Sequence, residues 1–118
     1  MIYRSKYGNK KITVNGETFD SQKEYRRWCE LKQLERAGAI KNLKRQVKFE
    51  LLPAQYCGKN CAERALNYIA DFTYIEPLNA DRNEFSAVVE DVKGKRTQAY
   101  IIKRKLMLYL HGIRIKEI

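Results

Sequence analysis

Asp91 and Lys93 are the first residues whose types and spacing suggest chemistry. They close the run Val88-Val89-Glu90-Asp91-Val92-Lys93-Gly94, in which an apolar segment carries charge into a glycine. In an extended chain, side chains alternate between faces. Val88, Glu90 and Val92 then share one face, and Phe85, Ala87, Val89, Asp91 and Lys93 share the other. A charge taken out of water is costly unless something compensates it. An acid and an ammonium side by side at a strand end can bind a metal and steer a water. Taken alone, the heptapeptide fits a plain salt bridge on a solvated strand end as well, so the rest of the chain has to decide.

A second acid, Asp71, stands inside the segment Arg64 to Ile75. There Leu66, Tyr68, Ala70, Phe72 and Tyr74 alternate with Asn67, Ile69, Asp71, Thr73 and Ile75. Aspartate is depleted in strands and costly when buried. Pro77 to Asn83 reads as a turn, and Phe85 to Lys93 as the next strand. An antiparallel hairpin centred on Asp81 sets Asp71 directly across from Asp91 on one face, with Cβ atoms about 5 Å apart. Two like charges so placed destabilise the sheet unless a cation lies between them. A register shifted by one residue keeps them diagonal and within reach of one metal.

The third acid is on a helix. Ser21 with Glu24 three residues later is a capping box, and the periodicity predicts a helix from there to about Ala37, ended by Gly38. At about 100° per residue, Glu24, Trp28 and Leu31 fall on one line, flanked by Tyr25 and Leu34. The core-facing row thus begins with a carboxylate. Glu24 either only closes the capping box or also points along the row toward a site on the sheet.

The remaining elements must position these groups. Residues 1–10 are basic and aromatic without periodicity and read as an arm. Lys11 to Val14, Asn15-Gly16 and Glu17 to Phe19 predict a hairpin, because Asn-Gly tolerates the positive φ of a two-residue turn. Ile40 to Gln46 reads as a polar connector, Val47 to Pro53 as a strand, and Ala54 to Glu63 as a loop. Thr97 to Leu110 reads as a second helix with an apolar face of Ala99, Ile102, Leu106, Tyr109 and Leu110. Ile113 to Ile118 alternates as a final edge strand.

A chain of 118 residues suits one domain over 1–118. Hydrophobic residues at 44% and charged residues at 32% exclude a disordered chain. The net charge of +10 asks for an anionic partner, with nucleic acid first. Seven Lys or Arg and no acid lie between Val92 and Ile115, and four and no acid between Met1 and Gly16. Lys10, Lys11, Lys95, Arg96, Lys103 and Arg104 are the expected phosphate contacts. No apolar run approaches the ~18 residues that span a bilayer, and the N-terminus lacks a signal-peptide core. The expectation is therefore a cytoplasmic protein with reduced thiols and no membrane partner. Cys57-Gly-Lys-Asn-Cys61 has the spacing of a zinc half-site, but no second pair follows. The single histidine, His111, argues against histidine-based catalysis.

Tyr68-Ile-Ala-Asp71-Phe72, Val89-Glu90-Asp91-Val92-Lys93-Gly94 and Phe19-Asp20-Ser21-Gln22-Lys23-Glu24 resemble the motifs of the PD-(D/E)XK nuclease superfamily. Over residues 5–118 the chain is similar to a family of small phage and prophage proteins of unassigned function, through its Phe-Asp-Ser opening, the Leu-Glu-Arg-Ala-Gly run at 34–38 and Glu-Asp-Val-Lys-Gly. The endonuclease subunit of certain cut-and-paste transposons is similar in outline. The resemblance implies an α/β, restriction-endonuclease-like core, with a mixed central sheet flanked by helices. It implies Mg²⁺ or Mn²⁺ dependence and 5′-phosphate products. Carried over by position, Asp71 and Asp91 are metal ligands, as is the Val92 carbonyl. Lys93 is the catalytic lysine, Glu24 the accessory acid, and Gln46 a further accessory. Glu90 adjoins Asp91 and could replace it as ligand; the spacing to Lys93 and the shared face favour Asp91.

The expected function is that of a phage-type DNA endonuclease in a bacterial host. Structure selectivity, as in a Holliday junction resolvase, is favoured over sequence reading, since the chain is too short for a separate reading domain. A homodimer would supply two sites for two strands. The alternatives are a non-catalytic nucleic-acid-binding protein on a nuclease-like fold and a small phage structural protein.

Overall fold

The computed structural model describes residues 10–81, 83–93 and 95–118. The expected arm at 1–10 therefore lies outside the described residues, Lys10 excepted, and so does Gly94.

The Asn-Gly signal makes the predicted hairpin. Strands β1 (Ile12–Val14) and β2 (Glu17–Phe19) pair antiparallel, with Ile12 opposite Phe19. Asn15 at φ 53° and Gly16 at φ 82° supply the two left-handed residues of a type I′ turn. Helix α1 (Gln22–Arg36) follows. Ser21 caps it, its Oγ accepting from the Glu24 backbone N–H at 3.1 Å. Glu24 Oε2 returns a bond to the Asp20 N–H at 3.1 Å, one residue earlier than a regular capping box. Ala37 closes the helix, and Gly38 at φ 80° turns the chain out so that the Ala39 N–H reaches Leu34 O at 2.9 Å.

The segment expected as a polar connector is strand. β3 runs from Lys41 to Leu52. Its first half looked like a loop because it is an outer strand carrying Lys41, Asn42 and Lys44 outward, so its sequence lacks an apolar row. Lysine on an open strand edge also discourages pairing with other chains. The expected loop after it contains a short hairpin, β4 (Gln55–Tyr56) and β5 (Ala62–Glu63). Cys57 and Cys61 face each other across its turn, Cα to Cα 5.1 Å, close enough for a disulfide to form. Cys29 lies apart from them on α1.

β6 (Leu66–Pro77) and β7 (Phe85–Asp91) are antiparallel and in the predicted register: Pro77 is opposite Phe85 and Phe72 opposite Glu90. Helix α2 (Gln98–His111) crosses over and returns the chain to β8 (Lys116–Glu117), which pairs parallel with β7. The four-stranded sheet has the order β3-β6-β7-β8 and is mixed, giving an α/β fold with an N-terminal hairpin.

Two apolar clusters sandwich the sheet. Leu31 and Trp28 of α1 pack with Ile40, Leu43, Phe72, Tyr74, Val88 and Val92. Tyr100, Leu106 and Met107 of α2 pack with Phe49, Leu51, Tyr68, Ala70 and Val89. Adjacent residues of β7 thus serve opposite layers, as period-2 alternation requires. The expected apolar face of α2 is corrected. Tyr100 and Met107 are buried, whereas Ile102 is 54% and Tyr109 85% exposed. Apolar residues line several sides of this helix, so periodicity alone did not fix which stripe turns inward.

β6 breaks its own alternation. Tyr68 and Ala70 belong to the α2 layer, but Phe72 and Tyr74 belong to the α1 layer. The change of face falls at Asp71. β3 changes face beside it, Leu43 packing on the α1 side and Phe49 and Leu51 on the α2 side. Gln46, across the register from Asp71, has φ 55°. A non-glycine residue in that left-handed region is uncommon and marks local strain.

Candidate active site

The ladder between β6 and β7 ends at Phe72 and Glu90, while that between β6 and β3 continues to Leu66 and Leu52. β7 therefore parts from β6 at Asp91, where it still pairs with β8, and the predicted residues converge at this fork. The Val92 N–H donates to Asp71 Oδ2 at 2.8 Å, tying the two motifs together. Asp91 is 1% exposed. Its Oδ2 accepts the Tyr68 hydroxyl. Its Oδ1, also buried, is paired with the Lys93 ammonium, Nζ at 3.1 Å, and has no further hydrogen-bond partner. The Lys93 ammonium rests 4.6 Å above the Tyr100 ring, a cation–π contact that holds the long side chain over the fork.

Glu24 reaches the same place from α1 and is likewise buried. Gln46 Nε2 donates to its Oε1 at 3.3 Å, and Arg45 Nη2 stands 3.7 Å from that oxygen. The Arg45 guanidinium lies 4.0 Å over the Phe19 ring and bonds Thr18 O at 2.8 Å, so hairpin and helix both anchor it. The positive φ of Gln46 brings Arg45 and Gln46, neighbours in sequence, to one carboxylate.

The electrostatics are those of crowded acids. Asp71 is pushed up to about 7, first by burial and then by Asp91 and Glu24, with the Val92 N–H and Lys93 pulling it down. Burial also raises Glu24, against the hydrogen bond from Asp20 and the charge of Arg45. The same factors predict a stability effect. Asp71 binds its proton more tightly folded than unfolded, so it weakens the fold as pH rises from about 4 to about 7. Asp71→Asn, which can still accept from Val92, is expected to stabilise the protein at pH 7.5 by on the order of 2–4 kcal/mol and to flatten that slope. Thermal melts of both proteins from pH 4 to pH 8 without divalent metal would check this.

Glu90 takes no part in the fork. It faces the other layer, where Arg27 Nε and Nη2 bind it in a fork at 2.8 and 2.6 Å and Tyr74 donates its hydroxyl. Burial alone would raise its pKa, but Arg27 and Tyr74 outweigh burial and hold it below the usual carboxylate range. Of the two adjacent acids, Asp91 is therefore the one at the fork. Neither Arg27, Tyr68, Tyr74 nor Arg45 was singled out from sequence. Arg27 lies 63 positions from Glu90, and no local pattern links them.

The expected phosphate contacts are dispersed. Arg96 and Arg104 are both held by Glu117, at 2.7 and 3.2 Å. Lys11 stands 4.0 Å from Asp20. Lys10 and Lys95 are exposed, and Lys103 is half-buried on α2.

Among the described residues, no group of three or more acidic, histidine or cysteine side chains is gathered tightly enough to hold a metal ion. What meets at the fork is the pair Asp71 and Asp91, with Glu24 near enough for its charge to be felt. Mg²⁺ keeps several waters and is commonly held by one or two carboxylates. Asp91 Oδ1, which lacks a hydrogen-bond donor besides the Lys93 ammonium, and Asp71 beside it, whose charge is disfavoured without a cation, fit such an ion. They do not make a closed, dehydrated cage.

Among the described residues, no helix is long and apolar enough to cross a membrane. The profile of the family described as "Protein of unknown function (DUF1064)" matches residues 4–116, so the chain belongs to that family. No curated protein and no solved structure matches the chain.

Proposed function

We propose that this DUF1064 protein is a metal-dependent DNA endonuclease that hydrolyses phosphodiester bonds. The observation that carries the reading is the meeting of Asp71, Asp91 and Lys93 where β7 parts from β6. A protein that only bound DNA would gain nothing from buried acids there, since they repel phosphate. The mixed sheet, with helices on both faces, suits the restriction-endonuclease-like core that the motif resemblance implies. The net charge of +10 suits a polyanionic substrate.

Asp71, Asp91 and the Val92 carbonyl would hold Mg²⁺ or Mn²⁺, with Glu24 as the accessory acid. Such a cation supplies charge to the phosphate oxygens as negative charge builds in the transition state. The chain's own groups do the rest. Lys93 orients the attacking water and eases loss of its proton. Gln46 and Arg45 keep Glu24 aimed at the fork. Exposed lysines on the surface hold the DNA backbone. Within this reading we favour a structure-selective, junction-resolvase-like enzyme of phage or prophage origin, working in the bacterial cytoplasm as a homodimer with one site per strand.

The competing reading is a non-catalytic nucleic-acid-binding protein on the same fold. It draws on the 3.1 Å approach of Lys93 to Asp91, which gives the acid a cation of its own. A panel of linear duplex, single strand, flap and four-way junction, each with Mg²⁺, Mn²⁺ or EDTA, separates the two. Metal-dependent cutting with a shape preference is the expected result. Tight binding without cutting under any metal would favour the binder.

A further inference from the structure

We propose that Tyr68 is a positioning residue that divides the work of the Asp91 carboxylate. The inference rests on the metal-site reading above and adds a residue to it. Asp91 has two oxygens in unlike surroundings. Oδ2 accepts the Tyr68 hydroxyl, and Oδ1, also buried, faces the Lys93 ammonium at 3.1 Å with no further hydrogen-bond partner. A buried carboxylate normally has its lone pairs satisfied, and a single ammonium leaves lone-pair capacity on Oδ1 unused. Here one oxygen is pinned by the hydroxyl, and the other is turned to the Lys93 side of the fork, where a metal would join the ammonium.

Tyr68 is built for this. It is 3% exposed, and its ring is fixed by Phe49 at 6.4 Å and Tyr100 at 6.5 Å between centroids. It sits on β6 three residues before Asp71, so one strand supplies both an acid and the group that orients the other acid. The face change at Asp71 is what permits it. Tyr68 points into the α2 layer with Asp91, while Phe72 already belongs to the α1 layer. The ring of Tyr100 completes the arrangement by carrying the Lys93 ammonium. Metal-binding carboxylates are commonly held this way, and losing the supporting group typically weakens metal affinity by about 10–100-fold.

The molecule contains its own control. Tyr74 donates its hydroxyl to Glu90, the neighbouring buried acid on the opposite layer. Tyr68→Phe and Tyr74→Phe each delete one hydroxyl beside one buried carboxylate and leave the ring. Mn²⁺ affinity of the full chain, measured by electron paramagnetic resonance with no DNA present, should fall by about 10–100-fold in Tyr68→Phe and by less than about threefold in Tyr74→Phe. Both variants should melt below wild type, so stability alone would not separate them. Equal affinities in Tyr68→Phe and wild type would overturn the role of Tyr68 while leaving the metal site in place. Equal losses in both variants would also overturn it, since a general loosening would then be the cause. Absence of Mn²⁺ binding by wild type up to millimolar concentration would overturn the metal-site reading, and the inference with it. Should Tyr68→Phe fail to fold, Tyr68→His, which keeps a ring and a donor, is expected to hold Mn²⁺ within a few-fold of wild type. A loss of tenfold or more in that folded variant would overturn the role.

Discussion

Arg27→Met is expected to destabilise the protein by about 3–5 kcal/mol, because it leaves the Glu90 charge buried without its partner. Glu90 has no exposed side-chain surface, and Arg27 contributes both donors of a bidentate clamp at 2.8 and 2.6 Å. The effect should depend on pH. Glu90 titrates below the usual carboxylate range in the fold. Its contribution is therefore present above about pH 4.5 and is lost as pH falls through its folded value. In Arg27→Met the sign reverses, since a buried carboxylate without a cation takes up a proton more readily when folded. Urea melts at pH 7 and pH 4 should show a large gap between wild type and variant at pH 7 and a smaller one at pH 4. Adding Glu90→Gln to Arg27→Met removes the stranded charge and is expected to restore a large part of the loss. A double variant no more stable than Arg27→Met would mean that lost packing, not the stranded charge, is the cause. The pair joins α1 to β7.

The second large effect concerns activity. Asp91→Asn and Lys93→Ala are each expected to lower metal-dependent cleavage by about 10³-fold, the scale on which removing one acid–base or charge-stabilising group acts. Their effects on DNA binding should differ in sign. Asp91→Asn removes a charge that repels phosphate, so DNA binding without metal should tighten. Lys93→Ala removes an attractive charge, so binding should weaken and the slope of log K against log salt should fall by about 1. Filter-binding titrations from 50 to 200 mM salt, run in EDTA, would check both signs. Asp91→Asn binding more weakly than wild type would show that Asp91 supports the DNA surface rather than facing it.

Much of the fork was legible in the chain. The register of β6 and β7 followed from placing the turn around Asp81. Alternation then separated Glu90 from Asp91, and Ser21 with Glu24 fixed the helix start. These features are local, and local rules reach them. Four others depend on residues distant in sequence or on a single dihedral. Glu90 and Asp91 are distinguished by which cation each meets, and Arg27 is far away on α1. The face change at Asp71 coincides with the left-handed backbone of Gln46, and no residue-type pattern announces a glutamine in that region. The inward stripe of α2 was misjudged because Ile102, Tyr109 and Leu110 are as apolar as Tyr100 and Met107, and only the sheet beneath decides between them. Arg96 and Arg104, read as open to phosphate, share Glu117 because the parallel return of β8 brings that acid beside α2.

The most direct test of the account is nicking of supercoiled plasmid by wild type and Lys93→Ala at saturating protein, with Mg²⁺ and with EDTA. The account predicts nicked and linear products from wild type with Mg²⁺ only, ending in 5′-phosphate, and about 10³-fold slower appearance from Lys93→Ala. Plasmid left intact by wild type with Mg²⁺, or cut equally fast by Lys93→Ala, would contradict it.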